Sequence, residues 1–144
     1  MISAVLDTNV LASAVANFRE PGNTPAALLH AAILRRFRLV TSAVILEELR
    51  RTLNKPYFRR RVSEQERQEI LRIFIRRAQQ VGLTIQVRGM ATHPEDDPIL
   101  ATALSAHADY LVTGDQRLRN RVPTFSGIPL VSPAEFLDVL SQEP

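Results

Sequence analysis

Residues 4–11 read Ala4-Val5-Leu6-Asp7-Thr8-Asn9-Val10-Leu11, an apolar run broken by three polar residues and then resumed. The run from Ile2 to Leu6 does not alternate, which predicts a short strand buried on both faces. Thr8 or Asn9 can then cap a helix running through Leu11, Ala14 and Val15. This strand-to-helix switch leaves a carboxylate at the end of a buried strand, a costly position unless something positive meets it. The remaining chain is therefore read for what compensates Asp7.

The same alternation continues. A turn-rich stretch from Phe18 to Pro25 precedes a helix opened by Thr24 and Pro25 and carrying Ala27, Leu28, Ala31, Ala32 and Leu34. Arg38 to Thr41 predicts a strand. Ser42 then caps a helix with Ile45, Leu46, Leu49 and Leu53 at helical spacing, stopped by Pro56. Ser63, three residues before Glu66, reads as a capping box opening a helix that Gly82 ends. Leu83 to Val87 alternates like a half-buried strand, and Gly89 to Pro94 reads as a loop. The segment EDDPILATALSAHA (95–108) predicts a helix, Tyr110 to Thr113 a strand followed by a turn at Gly114-Asp115, and Ile128 to Val131 a last strand. Ser132 and Pro133 open the closing helix, with Phe136, Leu137 and Leu140. Strands alternating with helices imply parallel pairing through right-handed crossovers, hence an α/β fold with helices on both faces of the sheet. No linker-like stretch divides the 144 residues, so one domain over 1–144 is expected.

Composition bounds the chemistry. Hydrophobic residues make up 45% and charged residues 23%, which places the chain among ordinary globular domains rather than disordered or fibrous ones. The absence of Cys excludes disulfide scaffolds, thiolate zinc sites and cysteine nucleophiles. No apolar stretch reaches the roughly 20 residues of a membrane span, and the first residues lack a basic region followed by a long apolar core, so a cytoplasmic location is expected. The formal charge is only +3, but all basic residues except Lys55 are Arg. They cluster as Arg35, Arg36 and Arg38, as Arg50 and Arg51, and as Arg59, Arg60 and Arg61. Guanidinium forks suit phosphate oxygens, so a nucleic-acid partner competes with the plainer reading of solvated helical faces.

Sites in doubly wound α/β folds gather beyond the carboxyl ends of the strands. Acids occur there repeatedly: Asp7 after the first strand, Glu47 and Glu48 in the helix after the second, Asp96 and Asp97 at the start of another helix, and Asp115 after the strand ending in Thr113. Each has a plainer reading, as an N-cap, a helix-dipole partner, an exposed pair with Arg50 and Arg51, or a turn residue. Gathered together, the acids would repel, raising pKa values or requiring a counter-charge. A hard divalent cation, Mg²⁺ or Mn²⁺, supplies that charge and prefers carboxylate and water oxygens. Asn9 and Thr113 can support such a site by hydrogen bonds, although capping and strand-end bonding explain them equally. His30, His93 and His107 are dispersed and read as structural or exposed, with His93 the one that a substrate could reach.

The segments VLDTNVL, TSAVILEELRRTL, EDDPILATALSAHADYLVTGD and IPLVSPAEFL resemble, in that order and along nearly the whole chain, a PIN domain, more narrowly the VapC-like branch of toxin components of toxin-antitoxin systems. The resemblance implies a three-layer α/β/α sandwich around a central parallel sheet, and metal-dependent cleavage of RNA using Mg²⁺ or Mn²⁺. It implies Asp7, Glu48, Asp97 and Asp115 as the acids of the site, Glu47 being the alternative to Glu48, with Asn9 and Thr113 in supporting positions and Asp96 as an extra acid. It further implies a protein antitoxin that blocks the pocket, and a homodimer. On this reading Asp7 and Asp97 hold the principal metal, and Glu48 and Asp115 act through water or recruit a second ion. Two alternatives stay open: a Mg²⁺-dependent aspartyl phosphotransfer domain, against which stand Asn9 in place of a second acid and Lys55 as the sole lysine, and a non-catalytic RNA-binding or interaction module.

Overall fold

The computed structural model describes residues 1–84, 87–89 and 97–143. Strand β1 (Ser3–Leu6) is buried along its whole length, as its unbroken apolar run requires. It lies at the centre of a sheet with order β3-β2-β1-β4-β6-β5 among the described residues, where β2 is Arg38–Thr41, β3 Gln79–Gln80, β4 Tyr110–Val112, β5 Thr124–Phe125 and β6 Ile128–Val131. Five of these strands run parallel: Ala4 pairs with Leu39 on one side and with Tyr110 on the other. The chain first builds outward from β1 through β2 to β3, then returns to build β4 and β6 on the opposite side. The reversal of direction falls between β1 and β4, and it opens a crevice beyond their carboxyl ends.

The helices α1 (Thr8–Ala16), α2 (Thr24–Ile33), α3 (Ala43–Leu53), α4 (Pro56–Arg61), α5 (Glu64–Arg77), α6 (Asp97–Ser105), α7 (Gln116–Arg121) and α8 (Pro133–Ser141) flank the sheet. Phe37, Phe74 and Phe136 are fully buried with Leu6, Leu11, Leu28, Leu39 and Leu111 in one continuous core. At the amino edge of the sheet Asp109 accepts from the Ser3 amide at 2.9 Å, and its own amide donates to the Ser3 hydroxyl at 3.1 Å, closing β1 against the turn before β4. Among the described residues, no helix is long and apolar enough to cross a membrane.

Several local expectations are corrected. Asp7, not Thr8 or Asn9, is the N-cap of α1, and Asn23, not Thr24, caps α2. Pro56 opens α4 as well as ending the run of α3, because a first-turn proline sacrifices no helical hydrogen bond. Helix α5 stops at Arg77, and β3 forms at Gln79–Gln80, where the Val81 amide bonds Thr41 O at 2.9 Å. Of the expected strand Leu83 to Val87, residues Leu83, Thr84 and Val87 are not extended in a ladder, and the other two lie outside the described residues. Leu83 and Thr84 are exposed, and Val87 packs partly buried against the core. Ser63 accepts from the Glu66 amide as expected, while a capping box with both reciprocal bonds forms at Ser132 and Glu135.

The sheet is also mixed rather than wholly parallel. Phe125 pairs with Ile128 across the two-residue turn Ser126-Gly127, whose φ angles of 49° and 83° are the positive pair that a tight hairpin needs, so β5 runs antiparallel to β6 at the edge.

Phe136 anchors α8, edge-on to Phe37 at 5.0 Å and tilted against Tyr110 at 5.5 Å. Phe136→Ala should lower unfolding free energy by about 3–5 kcal/mol in urea titrations. A loss under about 1 kcal/mol would mean that α8 is not docked on the core in solution.

Candidate active site

The crevice between β1 and β4 is built by two strand-to-helix switches side by side. The Asp7 amide continues the ladder to Val112 O at 3.0 Å, so Asp7 and Thr113 leave the sheet together. Asp7 is 5% exposed and Thr113 fully buried. Asp7 Oδ1 accepts from the Val10 amide at 2.9 Å, capping α1, and Oδ2 accepts from the Thr113 hydroxyl. The same Thr113 oxygen accepts from the Asp115 amide at 3.1 Å, and Asp115 Oδ1 caps α7 through the Leu118 amide at 3.1 Å. One hydroxyl therefore ties two acids to adjacent strand ends.

These acids border a cavity of about 400 Å³ together with Asn9, Val10, Ser13, Pro25, Gly114 and Pro133. Burial pushes the Asp7 carboxyl above the ordinary Asp range. The Thr113 hydroxyl and the Val10 amide oppose that shift, and the neighbouring Asp115 charge adds to it. Among the described residues no Lys, Arg or His forms an ion pair with Asp7. Asp115 is half-buried, and its Oδ2 has no hydrogen-bond partner among those residues.

The other expected acids stand on neighbouring elements. Asp97 opens α6, half-buried, and accepts from the Gly89 amide at 3.0 Å. Helix α6 packs on β1, β4 and α3, and the Ser42 and Thr102 hydroxyls join α3 to α6 at 2.8 Å. Glu48 is half-buried in α3, whereas adjacent Glu47 is exposed. Neither Glu48 nor Asp97 borders the Asp7–Asp115 cavity, and among the described residues no three acidic or imidazole side chains converge to hold a metal ion by themselves. Asp96 and His93 lie outside the described residues. His30 bonds Phe18 O at 2.8 Å and packs on the Phe18 ring, and His107 is exposed just beyond α6 with φ 50°, both in structural roles.

The donor set nevertheless suits a hard cation. A hard divalent ion commonly takes one or two protein carboxylates and completes its shell with water, and here a buried carboxylate with no ion pair among the described residues stands beside a second acid at an open cavity. Thr8 and Thr41, at the same sheet edge, carry buried hydroxyls with no hydrogen-bond partner among the described residues, a further sign that this edge is built for water or ligand. A larger cavity of about 710 Å³ opens between the α1–α2 connection and α5, but it holds no comparable group. Its Glu66 is paired with Arg19 at 3.2 Å and its Glu69 is exposed, so cavity size does not locate the chemistry.

Arg119 is a positioning residue that sequence patterning missed. From α7 its Nη1 donates to Thr113 O at 2.6 Å, fixing the strand end from which Thr113 and Asp115 are presented. The signal lay in its spacing, four residues after Asp115 on an arginine-rich stretch too short and polar to show helical periodicity.

A doubly wound sheet with paired acids at its switch point defines the class: an α/β protein with an acidic pocket suited to a divalent ion. Within that class, a PIN domain family model matches residues 3–117, and the chain belongs to the PIN domain family. No curated protein matches it in sequence. Among solved structures it is similar to PAE2754 from Pyrobaculum aerophilum, with a TM-score of 0.65 and 16% identity over 99% of this chain and 91% of that one. It is also similar to VapBC2 from Rickettsia felis bound to a DNA fragment from their promoter (0.60, 17%, 91% and 98%). The PIN domain endonuclease Utp24 aligns at 0.52 and 19% identity, over 90% of this chain and 84% of that one. At such identities the likeness is one of fold.

The raised Asp7 pKa has a stability consequence of definite sign. The folded state disfavours the carboxylate, so its cost to stability is absent near the ordinary Asp pKa of about 4 and grows as pH rises through the folded value. Asp7→Asn keeps an acceptor for Val10 and removes the charge. In chelator, the variant should therefore melt above the wild type at pH 7–8 and converge with it towards about pH 4. Equal melting temperatures at neutral pH would show that the Asp7 charge is already compensated.

Proposed function

We propose that this PIN domain is a metal-dependent endoribonuclease and the toxin of a toxin-antitoxin pair. The observation that carries the proposal is the buried Asp7 carboxylate, without an ion pair among the described residues, held beside Asp115 at the sheet's switch point. Membership of a family whose members are typically divalent-ion nucleases supports it. Asp7 and Asp97 would hold Mg²⁺ or Mn²⁺, with Glu48 and Asp115 acting through water or on a second ion, Asn9 and Thr113 orienting the first group, and Asp96 an accessory acid. Such an ion, when bound, polarises a phosphodiester and lowers the pKa of attacking water.

The chain's own groups divide the remaining work. Thr113 holds Asp7 in one rotamer, so that the carboxylate presents a fixed oxygen without reorganising. Asp115 keeps Oδ1 on the α7 amide and leaves Oδ2 to accept a proton from the attacking water. Asn9 where a second acid would stand, and Lys55 as the sole lysine, favour a ligand role for Asp7 over a phosphoryl-accepting nucleophile. The VapBC2 likeness supports a protein antitoxin partner, and the family resemblance supports a partner that covers the pocket and a homodimer in the cytoplasm.

Pooled cellular RNA incubated with the protein should be cut in Mn²⁺ or Mg²⁺ and left intact in chelator. Asp97→Asn and Asp115→Asn should each lower the rate by at least about a hundredfold while preserving the melting profile. Cleavage unaffected by chelator, or undiminished in both variants, would overturn the assignment.

A further inference from the structure

Between Leu49 and Ser63 the chain carries six of its eighteen basic residues and none of its fifteen acids. Arg50 and Arg51 lie in the last turn of α3, Lys55 at the junction, and Arg59, Arg60 and Arg61 in the last turn of α4; all six are exposed. Helix-dipole complementarity accounts for a cation or two at each helix end. It does not account for the exclusion of acids, nor for Tyr57, which is 54% exposed on α4 and the sole aromatic among the large exposed apolar side chains of the described residues. The Tyr57 ring is held in place by Phe58, edge-on at 5.0 Å, and by the Arg61 guanidinium 5.3 Å above its centre.

Among the described residues Arg50, Arg51, Lys55, Arg59 and Arg60 form no ion pair, and Arg61 has only a long, exposed contact with Glu20 at 3.8 Å. Such a pair contributes little and exchanges readily for a phosphate. The surface is also joined to the acidic cavity. Arg61 Nη2 donates to Asn17 Oδ1 at 2.9 Å, Asn17 Nδ2 donates to Ser13 O at 2.9 Å, and Ser13 borders the cavity with Asp7 and Asp115.

Resting on the ribonuclease reading, we propose that the C-terminal turn of α3 and the whole of α4 form the binding track for single-stranded RNA. Arg59 and Arg60 grip backbone phosphates, and Tyr57 stacks one base. A pre-oriented aromatic among unpaired guanidiniums is the combination that single strands select, since an unstacked base offers its face and its backbone lies beside it. Duplex DNA keeps its bases stacked, and a lipid surface has no use for the ring's orientation.

The test measures anisotropy of a fluorescein-labelled single-stranded RNA of about twelve nucleotides with the full chain in chelator, where cleavage cannot interfere. Arg59→Gln/Arg60→Gln should weaken binding at least about tenfold and reduce the slope of log affinity against log salt by about 1.4, the share of two single-strand phosphate contacts. Tyr57→Ala should weaken it roughly tenfold and Tyr57→Phe should restore it. Arg72→Gln/Arg76→Gln, on the exposed side of α5, should change nothing. Unchanged affinity and slope in the α4 variants would overturn the proposal, as would a wild-type slope too shallow for two contacts. Tighter binding of duplex DNA or of phosphatidylserine vesicles through the same residues would overturn it too. Cleavage in Mn²⁺ separates the two readings. RNA bound through α4 but never cut leaves the track standing and removes the nuclease, whereas normal cutting by the α4 variants removes the track alone.

Discussion

The hydrogen bond from the Thr113 hydroxyl to the Asp7 carboxylate joins the two strands on which the architecture turns. It closes the end of the β1–β4 ladder, and it does so with a group that burial disfavours in its charged form. A protein selected for stability alone has little reason to leave a carboxylate there, since an Asn or Ser would cap α1 about as well without the desolvation cost. The position is explained when the charge has a use that an amide cannot serve.

The rest of the edge follows from the same constraint. Asp7 and Asp115 both cap helices, so each carboxylate has one oxygen committed to a backbone amide and a fixed orientation for the other. Capping, the plain reading of either acid, and ligand binding are therefore compatible roles: the helix amide positions the side chain, and the second oxygen keeps a lone pair for a ligand. Arg119 strengthens this from outside by holding Thr113 O rather than either carboxylate. A guanidinium placed on Asp7 would cancel its charge.

What the sequence made legible was the part governed by local rules. The buried strand β1, the serine caps at 42, 63 and 132, and the β4 to Asp115 switch follow from apolar runs and cap chemistry. The misses were places where tertiary contacts or polar composition hid the signal. Strand β3 is two glutamines long and exists because Val40 and Thr41 offer a free ladder edge. Helix α7 has a single buried residue, Leu118, and no periodicity to read. The antiparallel β5 was encoded in the Ser126-Gly127 turn, a two-residue signal easily passed over beside the stronger strand that follows. That Asp7 and Asp115 stand at the same sheet edge was readable from their places after strands, whereas the adjacency of β1 and β4 that pairs them was not. How Glu48 and Asp97 relate to that pair depends on how α3 and α6 pack, which no local pattern specifies.

Charge distribution completes the physical picture. A pocket of carboxylates repels the polyanion that it is proposed to act on, so attraction must come from elsewhere on the molecule. It cannot come from far away, because fields are screened over about 8 Å at physiological ionic strength. Helix α3 resolves the conflict within its own length: half-buried Glu48 faces the interior side of the helix, and Arg50 and Arg51 are exposed in its last turn. Segregating six cations onto the end of α3, the junction and α4 while the net charge stays at +3 keeps these side chains out of ion pairs with Asp7 and Asp115 among the described residues. A uniform scatter of the same residues would give the same isoelectric balance and no such separation of charge.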